Sequence, residues 1–337
     1  MTNRKLWQLL WRHYRTLLLV AGVLIILAGI KEGFSAVHDP KLYLVDFMNQ
    51  QTFAIPSGGN LRVLVTIVVS FVLGLVLFLS DNFTNFDQYL FSLPVTRRWI
   101  YRRKVGLLVG TLTLSYVLME GSYLLIIHRI LMAKHIQINW TASLYESLES
   151  IAIILTLSLL AATFGLWVGH VMASALAGFI FSCSLVFAYN GLINIVAGVT
   201  GSKYHQVDVL NQLNGDHWSG LVTIAIICLG LSAFLYWLNQ WAFEKLSLEN
   251  SRDFFRFPQL RMAVLVFAIV YLIVAISCSQ FGLGILGMIT DHYREQMPLP
   301  AGTVMTVAVA YLTWSLGRWF LYRPDKFRDV WTFKRLE

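Results

Sequence analysis

The chain has 337 residues, of which 57% are hydrophobic and only 13% charged, with a mean hydropathy of +0.64. A water-soluble domain spends about 25% of its residues on charge, so this composition excludes a soluble enzyme and makes lipid the solvent. Against 18 Asp and Glu stand 26 Lys and Arg, a net charge of +8, which in a membrane chain reads as cationic loops facing anionic lipid rather than as a nucleic-acid surface.

At the N-terminus Arg4, Lys5, Arg12 and Arg15 precede the apolar run Leu17 to Ile30. No small-residue cleavage pattern follows, so an uncleaved first span is expected. Within residues 1–16, Lys5, Gln8, Arg12 and Arg15 recur at steps of three and four, with Leu6, Trp7, Leu10, Trp11 and Tyr14 around the rest. This pattern predicts a cationic amphipathic helix lying in the inner interface before the chain turns into the membrane. Crossing the hydrocarbon takes about 20 apolar residues, and eight runs qualify, near 17–37, 61–80, 105–128, 151–170, 173–198, 219–241, 262–288 and 301–320. The expected fold is therefore all-α, a polytopic helical bundle of about eight transmembrane helices. The uninterrupted apolar stretch of the first stops at Ile30, so it spans only if Lys31 and Glu32 snorkel and Phe34 to Val37 complete the length, the alternative being an interfacial hairpin.

Counted over alternate loops, one side carries nineteen Lys and Arg and the other seven, Arg62 among them. The positive-inside rule places the richer side, and with it both termini, in the cytoplasm. On the other side, Leu42 to Met48 reads as an interfacial helix, and His205, Asp208, Asp216 and His217 match no metal-ligand spacing. Cys183, Cys228 and Cys278 sit far apart in apolar runs, which predicts neither a disulfide framework nor a zinc site. The tail 321–337 mixes Lys and Arg with aromatics and anchors to the inner leaflet.

Polar residues inside the spans are few. Glu120 reads as the one acid near the centre of a span, and Thr113, Tyr116, Glu120 and Tyr123 form one helical stripe. An ionised side chain at the midplane costs about 2.5–3.5 kcal/mol on insertion scales, so Glu120 should face protein or water. Gly106 and Gly110 on the same helix form a GxxxG that permits close helix approach. On the fourth span Glu149, Thr156, Thr163 and His170 repeat every seven residues and stay near one face. Both stripes read either as interhelical hydrogen bonding or as the lining of a translocation path.

The most informative stretch is the cytoplasmic loop 81–104. Pro94 lacks an N–H and pre-sets φ, so it belongs at the start of a helix. Thr96, Arg97, Arg98, Arg102, Arg103 and Lys104 then lead into the third span as a basic face. In this loop Leu93, Pro94, Val95, Thr96 and Arg97 resemble, in order, the short Leu-Pro-hydrophobic-Ser/Thr-Arg motif of type-2 ATP-binding-cassette exporter permeases. The stretch Phe243 to Arg261 is similar to the linker after the sixth span in a Gram-positive branch of that family. The resemblance covers about residues 1–260 and departs from the six-span members in having two further spans.

The resemblance implies a permease core at 17–241, a cytoplasmic linker at 242–261 and two additional spans at 262–320. It also implies a separate ATPase subunit that carries ATP and Mg, docked on Phe86, Tyr89, Leu93, Pro94, Thr96, Arg97 and Arg98, and a second permease copy or paralogue. A hydrophobic or amphipathic cargo is expected, in the plasma membrane of a bacterium. No Gly-Lys pair occurs in the chain, so the GxxxxGK[ST] phosphate cradle is missing, and neither its own ATPase nor any bound cofactor is expected. The alternative is a proton-coupled secondary transporter using Glu120, which predicts broken helices. The Gly282, Gly284, Gly287 stretch is the one hint of a break.

Overall fold

The computed structural model describes residues 3–39, 52–53, 61–84, 86–133, 135–201, 217–246, 255–290, 299–322 and 331. The helices are α1 (Asn3–His38), α2 (Leu61–Thr84), α3 (Phe86–Ser92), α4 (Arg97–Ala133), α5 (Trp140–Trp167), α6 (Val171–Thr200), α7 (His217–Lys245), α8 (Arg261–Leu272), α9 (Gln280–Thr290) and α10 (Leu299–Tyr322). Among the described residues the strands are the two-residue β1 (Thr52–Phe53) and β2 (Gln137–Ile138), paired in parallel. Eight helical stretches are long and apolar enough to cross a membrane. The chain is an all-α polytopic membrane protein. The expected helix at Leu42 to Met48, the loop holding His205, Asp208 and Asp216, the linker residues 247–254 and the tail beyond 322 other than Trp331 lie outside the described residues.

Two expectations change. The separate interfacial helix over 1–16 is not found, because α1 is one continuous helix of 36 residues. Its buried stripe, Leu6, Leu10, Tyr14, Leu18, Ala21, Ile25, Ala28, Glu32 and Ala36, runs through the supposed junction without changing face. Residues 3–21 hold no Gly or Pro to bend it. The seventh span, expected unbroken over 262–288, stops early. It passes from α8 through a π turn at Ile273–Ser277 and ends at Cys278 and Ser279, before α9 begins.

Contacts group the helices into two compact units, Met1–Leu166 with Asp216–Leu248, and Trp167–Gly215 with Glu249–Glu337. This differs from a core at 17–241 followed by two added spans, since α6 joins α8, α9 and α10. In the first unit α1 runs along α4 at backbone contact. A Cβ on Gly22 would stand 2.8 Å from Ser115 Oγ, and one on Gly29 2.7 Å from the Met119 carbonyl oxygen. Small residues of this kind let membrane helices approach closely. At Gly106 and Gly110, whose spacing permits a close approach, nothing among the described residues lies within 4 Å of a Cβ built at either. α2 meets α5 through Gly74, where a Cβ would fall 2.1 Å from the Ser158 carbonyl oxygen, and Gly165, 2.8 Å from that of Leu75. Gly74→Ala is therefore expected to cost about 1–3 kcal/mol by overpacking, read as a lower thermal midpoint in detergent, while Gly110→Ala leaves the midpoint unchanged.

At one end of this unit α4 closes on His135, whose φ of 56° lies in the left-handed region, with the Ile136 N–H donating to the Leu131 carbonyl at 2.9 Å. Asn139 Oδ1 then accepts from the Ala142 N–H at 3.1 Å and caps α5. Phe53 on β1 is fully buried among Ala36, Tyr123, Ile127 and Leu131.

In the second unit α6 and α8 run side by side in the same direction. The Ser184 and Tyr271 hydroxyls lie 2.7 Å apart, and Asn194 Nδ2 donates to the Cys278 carbonyl at 2.9 Å. After the break Phe281 packs on Phe187, ring centroids 4.8 Å apart. Phe187 precedes Asn194 on α6, so α9 folds back instead of continuing outward. Asn194 takes up a carbonyl at the break, which is how a polar backbone is tolerated at membrane depth. α10 runs against α8, with Arg261 over the Tyr322 ring at 5.6 Å and Gly317 against Leu265. Where the linker re-enters this unit, the Arg256 N–H donates to the Trp167 carbonyl at 3.0 Å.

Candidate functional site

Among the described residues of the first unit, the ion pairs with both partners buried gather in two places, while the buried carboxylates Asp87, Glu146 and Glu149 lie apart from them. The first joins α1, α2 and α4 through Arg62, which is 0% exposed. Arg62 Nη1 donates to Glu32 Oε1 at 3.1 Å and Nε to Glu120 Oε1 at 3.2 Å. The Arg62 N–H, one of the orphan donors of the first turn of α2, donates to Glu32 Oε2 at 2.8 Å. The guanidinium lies over the Tyr123 ring, 4.2 Å from its centroid. Within the same helices the Thr66 hydroxyl donates to the Arg62 carbonyl at 2.7 Å.

The second cluster joins the same three helices at their other ends. Asp81 and Lys104 are both fully buried and form an ion pair. The Tyr14 hydroxyl donates to the Asp81 carboxylate, 2.6 Å from Oδ2. The Lys104 ammonium sits over Phe78 at 4.3 Å, Tyr14 at 5.4 Å and Phe243 at 6.0 Å from their ring centroids, a cage whose quadrupoles favour a cation.

The spacing between the clusters locates the membrane. Tyr14 to Glu32 is 18 residues, Arg62 to Asp81 is 19 and Lys104 to Glu120 is 16. At about 1.5 Å per residue these are about 27, 28 and 24 Å, close to the roughly 30 Å hydrocarbon thickness. Each cluster therefore lies near one boundary. By this spacing Glu120, expected near the centre of a span, falls toward the boundary shared with Glu32 and Arg62, where water and headgroups are near and burying charge costs less.

The stripe containing Glu120 is split. Tyr116, Glu120 and Tyr123 are buried, while Thr113 is half-buried and joins neither cluster. On α5 the Thr156 hydroxyl meets the Cys228 carbonyl and the Ser232 hydroxyl of α7, both at 2.9 Å, which makes it a helix-to-helix bond. Thr163 bonds only back to the Leu159 carbonyl, at 3.0 Å. His170 leaves the stripe, because α5 ends at Trp167 and His170 caps the start of α6.

The Leu93-Pro94 loop forms a helical hairpin. α3 carries Phe86 and Tyr89, the turn carries Leu93, Pro94 and Val95, and α4 starts at Arg97. Thr96 opens that helix, its carbonyl accepting from the N–H groups of Trp99 and Ile100 at 2.9 and 3.2 Å. Arg97 points inward rather than to a partner. Its Nη1 donates to the carbonyls of Glu244 and Leu246, at 3.0 and 2.7 Å, and its guanidinium lies 4.3 Å from the Phe91 ring centroid. The unsatisfied carbonyls at the C-terminus of α7 make this a favourable place for a cation. Arg98 Nε donates to Glu244 Oε1 at 2.8 Å, a largely exposed pair of small energetic value. On the outside of the hairpin lie Gln88, Tyr89, Ser92, Pro94 and Thr96, with Arg98 and Trp99 exposed at the start of α4.

Phe86 faces the other way, stacked on His13 of α1 with ring centroids 3.7 Å apart and planes 11° off parallel. His13 Nε2 in turn lies 3.8 Å from Asp81 Oδ1. The hairpin is thus bolted to α7 by Arg97 and to α1 by Phe86. Among the described residues no group of three or more His, Cys, Asp or Glu is placed to hold a metal ion.

No protein-family model, no curated protein and no solved structure matches this chain.

Proposed function

We propose that the chain is the membrane-spanning subunit of an ATP-driven exporter of the type-2 ATP-binding-cassette kind. In this reading it moves a hydrophobic or amphipathic cargo out of a bacterial cell, with both termini cytoplasmic, a separate ATPase subunit and a second permease copy or paralogue. The observation that carries the reading is the hairpin. A membrane protein has no structural need for a short helix, a Pro turn and a second helix start held on both flanks by buried-side contacts while Tyr89, Pro94 and Thr96 face outward. Such a projection suits a load-bearing docking surface. The cationic loops, which include this hairpin, support a cytoplasmic location for it.

The proton-coupled alternative gives Glu120 the work of a carrier. Glu120 shares one buried guanidinium with Glu32, across three helices, so each cycle would have to open that pairing. The cluster is better suited to holding the helices than to releasing a proton.

The docking reading is tested by purifying the full chain with the products of its neighbouring genes and measuring the ATPase retained in detergent. Tyr89→Ala combined with Pro94→Ala is expected to lower retention about thirtyfold, the size of a central aromatic contact worth about 2 kcal/mol. Thermal stability of the permease should fall only slightly, by about 1 kcal/mol, since both side chains are exposed and what is lost is the stacking of Tyr89 on Phe86 and the preset φ of Pro94. A wild-type chain that retains no ATPase, or a double variant that retains it fully, overturns the proposal.

A further inference from the structure

Residues 3–13 extend α1 beyond the Tyr14, Asp81 and Lys104 cluster, and so beyond the boundary that this cluster marks. Leu6 and Leu10 on this extension are buried against the first unit, at 2% and 0% exposure, while Lys5, Arg12 and Arg15 are exposed. No acidic group among the described residues pairs with these three cations. At about 100° per residue they fall within an arc of about 80° on the helix. Trp7 and Trp11 lie between that arc and the buried stripe, with 38% and 39% of their surface exposed.

We infer that Lys5, Arg12 and Arg15 form a binding site for the phosphate headgroups of anionic phospholipid in the leaflet at this end of α1. Three observations converge on lipid rather than on an acidic protein. First, the level is right. Arg12 and Arg15 bracket Tyr14 within about 3 Å along the helix axis, at the edge of the hydrocarbon, and Lys5, about 13 Å further out, adds long-range attraction over roughly a Debye length rather than a direct contact. Second, Trp7 and Trp11 are the residue type that sits at headgroup depth, with an apolar ring toward the acyl chains and an N–H toward water. Third, no acid among the described residues opposes the charge, and each Lys or Arg close to an anionic leaflet strengthens attachment roughly fivefold. The inference does not rest on the exporter reading. It rests on the boundary set by the two ionic clusters, and it places bound lipid on the same helix as His13, whose ring stacks on the hairpin.

The test uses the full-length protein in vesicles of phosphatidylcholine alone or mixed with phosphatidylglycerol, with the lipid retained after detergent extraction identified by native mass spectrometry. The wild type is expected to retain phosphatidylglycerol in preference to phosphatidylcholine, and added salt should weaken the preference. Lys5→Gln, Arg12→Gln and Arg15→Gln together should reduce it about tenfold or more, while Arg12→Lys with Arg15→Lys keeps it, because a phosphate is satisfied by charge. A wild type without preference overturns the inference, and so does a triple Gln variant whose preference is intact. If the triple variant instead loses a copurifying protein while lipid retention is unchanged, the stripe serves an acidic protein surface and the lipid assignment fails.

Discussion

Arg62→Ala is expected to destabilise the folded chain by about 3–5 kcal/mol, the cost of removing one partner from a buried ion pair. The carboxylates left behind, Glu32 and Glu120, are only 3% and 7% exposed, and the Arg62 side chain supplies a donor to each of them. Loss of the guanidinium also removes the cation over Tyr123. The readout is the thermal midpoint and the monodisperse fraction in detergent. Because the penalty comes from stranded charge, Glu32→Gln and Glu120→Gln placed in the same Arg62→Ala chain should recover most of it. Glu120→Gln alone keeps an acceptor for Arg62 Nε and should be tolerated, whereas Glu120→Leu should lower stability or transport. An Arg62→Ala chain as stable as the wild type would remove this cluster from the account of what joins α1, α2 and α4.

This cluster also shows where the sequence was legible and where it was not. Helix content and span number follow from apolar run length, which lipid imposes on any spanning segment, and the eight expected runs correspond to the eight candidate spans. Glu120 stood out as a buried acid, yet its partners did not, because a carboxylate's neighbours across three helices depend on depth and rotation rather than on spacing along one helix. A signal was present. Glu32 near the end of one span and Arg62 at the start of the next are both placed at the same boundary, and their opposite charges could have been matched. Lys104 misled in the other direction. In sequence it ends a run of cations and reads as part of the basic face leading into the third span, whereas the fold turns it inward against Asp81. The glycines show the same limit, since GxxxG at Gly106 and Gly110 is left open while Gly22, Gly29 and Gly74 make the close approaches. Pro94, expected in the first turn of a helix, stands instead in the bend before it, since α4 starts at Arg97. That Arg97 would cap α7 was not legible, because its partners are backbone carbonyls roughly 150 residues away in the chain.

Under the proposed function these connections define which helices a docked ATPase moves. A push on Tyr89 and Pro94 reaches α7 through the bonds of Arg97 to the Glu244 and Leu246 carbonyls. It reaches α1 through the Phe86 and His13 stack, and α4 directly, since that helix continues from the hairpin. The two ionic clusters tie α1, α2 and α4 together near both boundaries, so these three helices move as one body. Rearrangement that opens a path then falls to contacts without buried charge, such as the hydroxyl bonds of Thr156 to α7.

The hairpin end of that body gives the last prediction. Lys104→Met is expected to cost about 3–5 kcal/mol, because it leaves Asp81 fully buried with the Tyr14 hydroxyl as its remaining close donor. Asp81→Asn should cost less. The ammonium it strands still lies over the rings of Phe78, Tyr14 and Phe243, and cation–π contacts of this kind contribute about 0.5–2 kcal/mol each. The double variant Lys104→Met with Asp81→Asn removes both charges, so its loss should be smaller than the sum of the single losses by about 1–3 kcal/mol. Urea or thermal unfolding of all four chains in one detergent measures the cycle. Additive losses would mean that the two charges do not stabilise each other, and equal single losses would mean that the aromatic cage contributes nothing to holding the lysine. The expected asymmetry identifies Lys104 as the residue through which the basic face of the hairpin is fixed to the interior of the bundle.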